Sequence, residues 1–220
     1  MTDCRAPLRS DDRGTRVGIL IFPDVEVLDF CGPFEVFSVT RLDDALRRQT
    51  ASPFEVLLVA ERAEPLLTTG GMQVTPHHTL ANCPPLELLV VPGGWGTRRE
   101  IENQPLIEWI TARGRAAETL SSVCTGSMLL AQAGLLSGRR ATTHWRSLER
   151  MRDAFPDVSV VTDRHWVEDG NVVTSAGISA GIDMALKVVA RHFGDAIARA
   201  TAKHMEYPFP ESNARRIALA

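Results

Sequence analysis

The stretch TLSSVCTGSMLLAQAGLL, residues 119–136, decides the reading of this chain. Thr119 to Val123 is β-prone, Thr125 and Gly126 after Cys124 are small, and an apolar helical run starts at Met128 and closes at Gly134. A strand passing directly into a helix puts Cys124 on a sharp turn, at the carboxyl edge of a sheet and the amino end of a helix. Unpaired N–H groups and partial positive charge at such an end favour an anion. The expectation is a thiol that titrates low, the recipe for a cysteine nucleophile. A buried structural cysteine is the competing reading, since free cysteine is among the most buried residue types. The small neighbours Ser122, Thr125 and Gly126 favour the reactive group.

Outward from the elbow, residues 17–22 (VGILIF), 54–60 (FEVLLVA) and 87–91 (ELLVV) are continuous apolar runs. That is the pattern of parallel strands buried on both faces. Helices are predicted over residues 32–46, where Pro33 suits a first helical position, and over 102–113, 125–133, 145–154, 180–192 and 194–205. Residues 66–76, with Gly70-Gly71, read as a small hairpin. Residues 140–142, 158–161, 166–168 and 172–175 read as further strands. The alternation predicts an α/β fold, a mostly parallel sheet with helices on both faces. Residues 1–15 read as a flexible leader, 16–210 as one domain and 211–220 as a C-terminal tail.

Ligands in such sheets sit beyond the carboxyl ends of the strands. The loops at residues 23–31, at Gly93-Gly94 and at Cys124-Thr125 therefore converge on one site. Asp29 lies in an apolar turn, VLDFCGP; with Gly32 as the helix cap, Asp29 is left to face the cleft. Beside a thiolate its carboxyl is expected to be raised and to hold a proton for exchange with sulfur or substrate. The N–H groups of Gly94 and Thr125 are candidate donors to developing negative charge, with Gly93 supplying close approach. His144 ends a predicted strand at the same edge and is either a cap or a site residue. Asp183 complements the dipole of its helix. Trp95, Phe30 and Ile178 are candidates to line an apolar pocket.

Composition sets the outer limits. The chain has 220 residues, 44% hydrophobic and 23% charged, with a net charge of −3. One domain is expected, and neither nucleic acid nor membrane binding has an electrostatic basis. With no apolar run long enough to span a bilayer and no signal-peptide pattern, the chain reads as cytoplasmic. Cys4, Cys31, Cys83 and Cys124 show neither disulfide-framework nor zinc spacing. His77-His78 point to opposite faces of a strand, so no metal site is expected.

The segments VGILIFPDVEVLDFCGPFEVF, LLVVPGGWG, SSVCTGSMLLAQAGLLSGRRATTHW and TSAGISAGIDMAL together resemble the DJ-1/PfpI superfamily. The resemblance implies a flavodoxin-like three-layer sandwich with a cysteine elbow. Within that superfamily the chain is most similar to the isonitrile hydratases and to sensor-like domains of AraC-type regulators. By resemblance to the hydratases, Asp29, Cys124 and Thr125 are catalytic, isonitrile is hydrated to an N-substituted formamide, and no cofactor is needed. A thiol-based sensor and a glyoxalase- or deglycase-like activity use the same cysteine and stand as alternatives. Thr125 occupies the place where the peptidase branch has histidine, which argues against a protease. Cys31 is a departure, standing where a small non-thiol residue is usual. The resemblance also implies a homodimer acting on a small molecule. With the sequence closing soon after Tyr207-Pro208-Phe209-Pro210, no DNA-binding module is expected.

Overall fold

The three continuous apolar runs become neighbouring parallel strands in the chain's computed structural model, which describes residues 14–218. In chain order the first half contains β1 (Thr15–Leu20), α1 (Val27–Val39), β2 (Phe54–Ala60), β3 (Leu66–Leu67), β4 (Gln73–Val74), β5 (His78–Thr79) and β6 (Leu88–Val91). There follow α2 (Thr97–Glu100), α3 (Gln104–Ala116), β7 (Thr119–Val123), α4 (Gly126–Gln132), β8 (Arg140–Ala141) and α5 (Leu148–Ala154). The chain continues through β9 (Ser159–Val160), β10 (Trp166–Asp169), β11 (Val172–Ser175), α6 (Ala180–Phe193) and α7 (Asp195–His204).

The seven-stranded sheet has the order β10-β11-β7-β6-β1-β2-β5. It is parallel except at β10, which pairs antiparallel with β11. β1 lies between β2 and β6, with Val17 opposite Val56 on one side and Leu88 on the other. Val17, Ile19, Leu20, Leu89 and Val90 are fully buried, and each such side chain contributes about 1.5–3 kcal/mol through loss of contact with water. α1, α6 and α7 pack together, while α4 packs with α2 and α3, giving the three-layer flavodoxin-like sandwich. The chain winds outward in opposite directions from β1 and from β6. Their loops part there and leave a crevice at the carboxyl ends of the strands.

Several elements depart from expectation. α1 begins at Val27, not Gly32, and ends at Val39, with Pro33 inside it. The lost N–H of Pro33 costs one helical bond; burial of Phe30, Val36 and Phe37 outweighs it. Gly32 is no cap: a Cβ there would stand 2.9 Å from Ile182 Cγ1, so its smallness lets α1 approach α6. Cys4 and residues 1–13 of the expected leader lie outside the described residues, while Thr15 already pairs with Phe54 in the sheet. The segment set apart as a tail is bound to the body: Asn213 accepts the N–H of His165 at 2.9 Å. β8 pairs with β9 in a separate two-stranded sheet, so the strand before His144 is not part of the main one. No helix among the described residues is long and apolar enough to cross a membrane.

Candidate functional site

Asp29 stands in the first turn of α1 and is fully buried. Its Oδ2 accepts the N–H of Gly93 at 3.0 Å, while Oδ1 is buried with no conventional donor among the described residues. Burial pushes the carboxyl well above the usual carboxylate range, the Gly93 bond opposes this, and the charge of Glu26 adds to it. The carboxyl and the Cys124 thiol are close enough for each to act on the other.

Cys124 forms the expected elbow. Its φ is +57°, a left-handed conformation that costs a non-glycine residue about 1–3 kcal/mol. Four bonds hold it there. The Cys124 N–H donates to Ser175 O and Ala176 O, both at 3.2 Å. Its carbonyl accepts from Ser127 Oγ at 3.1 Å and Thr143 Oγ1 at 2.9 Å. Gly126 is required by close approach, since a Cβ would lie 2.0 Å from Val91 O.

The thiol does not titrate low. Burial pushes it well above the ordinary cysteine value and the Asp29 charge raises it further, against the N–H and hydroxyl of Thr125. A helix end supplies about 0.3–1 kcal/mol, and α4 has seven residues. Desolvation of a cysteine only 6% exposed is the larger effect. Because like charges this close oppose each other's ionisation, Asp29 and Cys124 titrate as a coupled pair rather than as two independent groups.

The glycine loop does a different job from the one expected. The Gly94 N–H is already committed to Thr125 Oγ1 at 3.1 Å, and that of Gly93 to Asp29. Neither is free for a bound anion; together they fix the two side chains flanking the sulfur. Thr97, missed in the sequence, lies 3.1 Å from the Thr125 hydroxyl and donates to Gly94 O at 2.8 Å. The Thr125 N–H serves the sulfur.

His144 is a cap that also lies near the cysteine. Its Nδ1 accepts the N–H of Arg146 at 3.3 Å, capping the short turn Trp145–Ser147. Its ring and the Cys124 sulfur both border Gly177, where a Cβ would lie 2.2 Å from His144 Cδ2 and 3.1 Å from the sulfur. Burial, then the charges of Arg146 and Arg215, lower its pKa and keep the ring neutral. Gly177 sits in the TSAGIS segment, which the sequence offered only as part of the family resemblance. Trp95 stands outside this cluster, 64% exposed with the Arg98 guanidinium 4.2 Å from its ring. Phe30 is in the core. Asp183 does more than complement a dipole: fully buried, it meets Arg216 at 2.8 Å, His165 at 2.9 Å and the Tyr207 hydroxyl at 2.9 Å. A separate cleft of about 850 Å³, lined by Phe22, Glu61, Arg99 and Leu106 among others, includes neither Cys124 nor Asp29.

The DJ-1/PfpI family model matches residues 15–191. The chain is 37% identical to the isonitrile hydratase of Pseudomonas putida over 87% of its own length and 78% of the relative's. It is 31% identical to the HTH-type transcriptional regulator CdhR of Pseudomonas aeruginosa, covering 81% of this chain and 51% of that one. Among solved structures, a THiJ/PfpI family protein from Pseudomonas syringae superposes with a TM-score of 0.76 at 29% identity, covering 97% of this chain and 84% of that one.

Proposed function

Because the chain belongs to the DJ-1/PfpI family, we propose that Cys124, Asp29 and Thr125 hydrate an isonitrile to an N-substituted formamide, as a cysteine-dependent lyase. The observation that carries this reading is the buried Asp29 carboxyl beside the Cys124 thiol, each group raised by burial. An isonitrile is uncharged, and its terminal carbon accepts both a nucleophile and a proton, which suits it to a buried thiol beside a buried acid. The 37% identity to a hydratase over most of both chains supports the same chemistry.

The reaction follows from the pair. In the reactive form, with the thiol ionised and Asp29 protonated, sulfur adds to the terminal isonitrile carbon and Asp29 protonates that carbon, forming a thioimidate. The Asp29 carboxylate, now without its proton, takes one from a water as the oxygen adds to the same carbon. Of the two water protons, one ends on nitrogen and the other returns to the Asp29–Cys124 pair as the C–S bond breaks. The formamide leaves and the starting charge is restored. Thr125 holds the sulfur through its N–H and is itself oriented by Gly94 and Thr97.

Cyclohexyl isocyanide is the test substrate. Appearance of N-cyclohexylformamide that depends on the protein is the expected result; no product, with turnover of a reactive aldehyde instead, would move the chain to the glyoxalase-like reading. The peroxide-sensor alternative is disfavoured by a thiol that is buried and raised, since oxidation follows thiolate character and exposure.

In the same assay Gly93→Ala is expected to lower turnover by about a hundredfold. The new Cβ would stand 2.5 Å from Thr125 N and 3.0 Å from Asp29 Oδ2, driving apart the groups that flank the sulfur. Wild-type turnover in that variant would show that the loop does not hold them.

A further inference from the structure

The segment after α7 returns along the edge strand β10 and reaches the chain that supports Cys124. Asn213 secures it to β10: its Oδ1 accepts the Trp166 N–H and its Nδ2 donates to Trp166 O, each at 2.9 Å. Arg215 then donates its N–H to Asp163 O at 2.9 Å. Its guanidinium forks to three acceptors: Nε to Thr162 O at 2.7 Å, and Nη2 to Thr142 Oγ1 at 2.9 Å and Thr143 O at 3.2 Å. Thr143, fully buried, is the residue whose hydroxyl holds the Cys124 carbonyl, and His144 follows it.

We propose that Arg215 is a positioning residue for Cys124, acting through residues 142–144. That segment is irregular chain between β8 and the turn at Trp145–Ser147. One end is tied by the Thr142 N–H to Thr174 Oγ1 at 2.9 Å; the guanidinium ties the other. Freed from the fork, Thr143 loses the orientation that keeps its hydroxyl on Cys124 O, and one of the four bonds holding the left-handed elbow slackens. Three acceptors reached from two nitrogens of one side chain explain an arginine here, because a lysine ammonium does not offer that fork. The inference rests on Cys124 as the reacting group, not on the identity of the substrate.

The test is Arg215→Ala, read by kinetics with cyclohexyl isocyanide and by amide hydrogen exchange. Turnover number is expected to fall about tenfold with KM unchanged, exchange to accelerate in peptides spanning 119–127 and 142–147, and millimolar guanidinium ion, but not ammonium, to restore both. Arg199→Ala, which removes the contact of Arg199 with Glu211 in the same segment, is expected to behave as wild type. Unchanged exchange across 119–127 overturns the proposal, as does a loss that guanidinium cannot restore accompanied by faster exchange throughout the chain. Should Arg215→Ala fail to fold, Arg215→Gln, which keeps a planar donor, is read by the same criteria. If the wild-type protein turns over no isonitrile, the exchange arm alone decides, and the substrate reading fails separately.

Discussion

Cys124→Ser is expected to reduce hydration of cyclohexyl isocyanide by about 10⁴-fold or more, the scale on which removal of a covalent nucleophile is felt. The hydroxyl is nearly the same size as the thiol and inherits the same four backbone bonds, so the elbow stays folded. It is far too weak an acid for Asp29 to deprotonate, so the addition step is lost. Steady-state rates with a circular dichroism melt check both halves. Turnover within tenfold of wild type, in a folded variant, would take the sulfur out of the mechanism and return Cys124 to the class of structural cysteines.

Asp29→Asn carries the second large effect, and it has two opposite signs. Turnover is expected to fall by about 10²- to 10⁴-fold, the contribution of a general acid–base group, while the melting temperature at neutral pH rises. The second half follows from linkage. Burial raises the folded carboxyl's pKa, so the folded chain holds this proton to higher pH than the unfolded chain does. The stability it confers is complete below the unfolded value of about 3.9 and is lost as pH rises through the folded value. Asparagine keeps an acceptor for the Gly93 N–H and has no charge to bury. The variant should therefore out-melt wild type at neutral pH, and the difference should vanish by about pH 3. Equal melting temperatures at all pH values would mean that the carboxyl is not raised.

Much of the architecture was readable from residue order. Runs such as FEVLLVA are too apolar for any surface, and the strand predicted at residues 54–60 has those limits in the structure. The elbow was equally legible, because a β-prone stretch meeting Cys-Thr-Gly before an apolar helix has few ways to fold. α1 was misjudged because Pro33 is a strong local signal for a helix start, and local signals yield when three buried side chains reward continuation. Within the site, Asp29, Cys124 and Thr125 were nameable beforehand, and so were the glycines of the 93–94 loop. The use of those glycines was not, since an N–H reveals its partner only when distant chain is brought against it.

Residue order determined the strands, the parallel α/β class and the position of the thiol at a strand–helix turn, because periodicity and small-residue spacing are short-range properties. Tertiary structure alone decided that the thiol is raised by burial and by Asp29, that Gly93 and Gly94 are spent on fixing side chains, and that Arg215 reaches residues 142 and 143. Desolvation and hydrogen-bond partnership depend on what packs around a group, and here the packing groups come from parts of the chain up to 95 positions apart, as Asp29 and Cys124 are in the numbering.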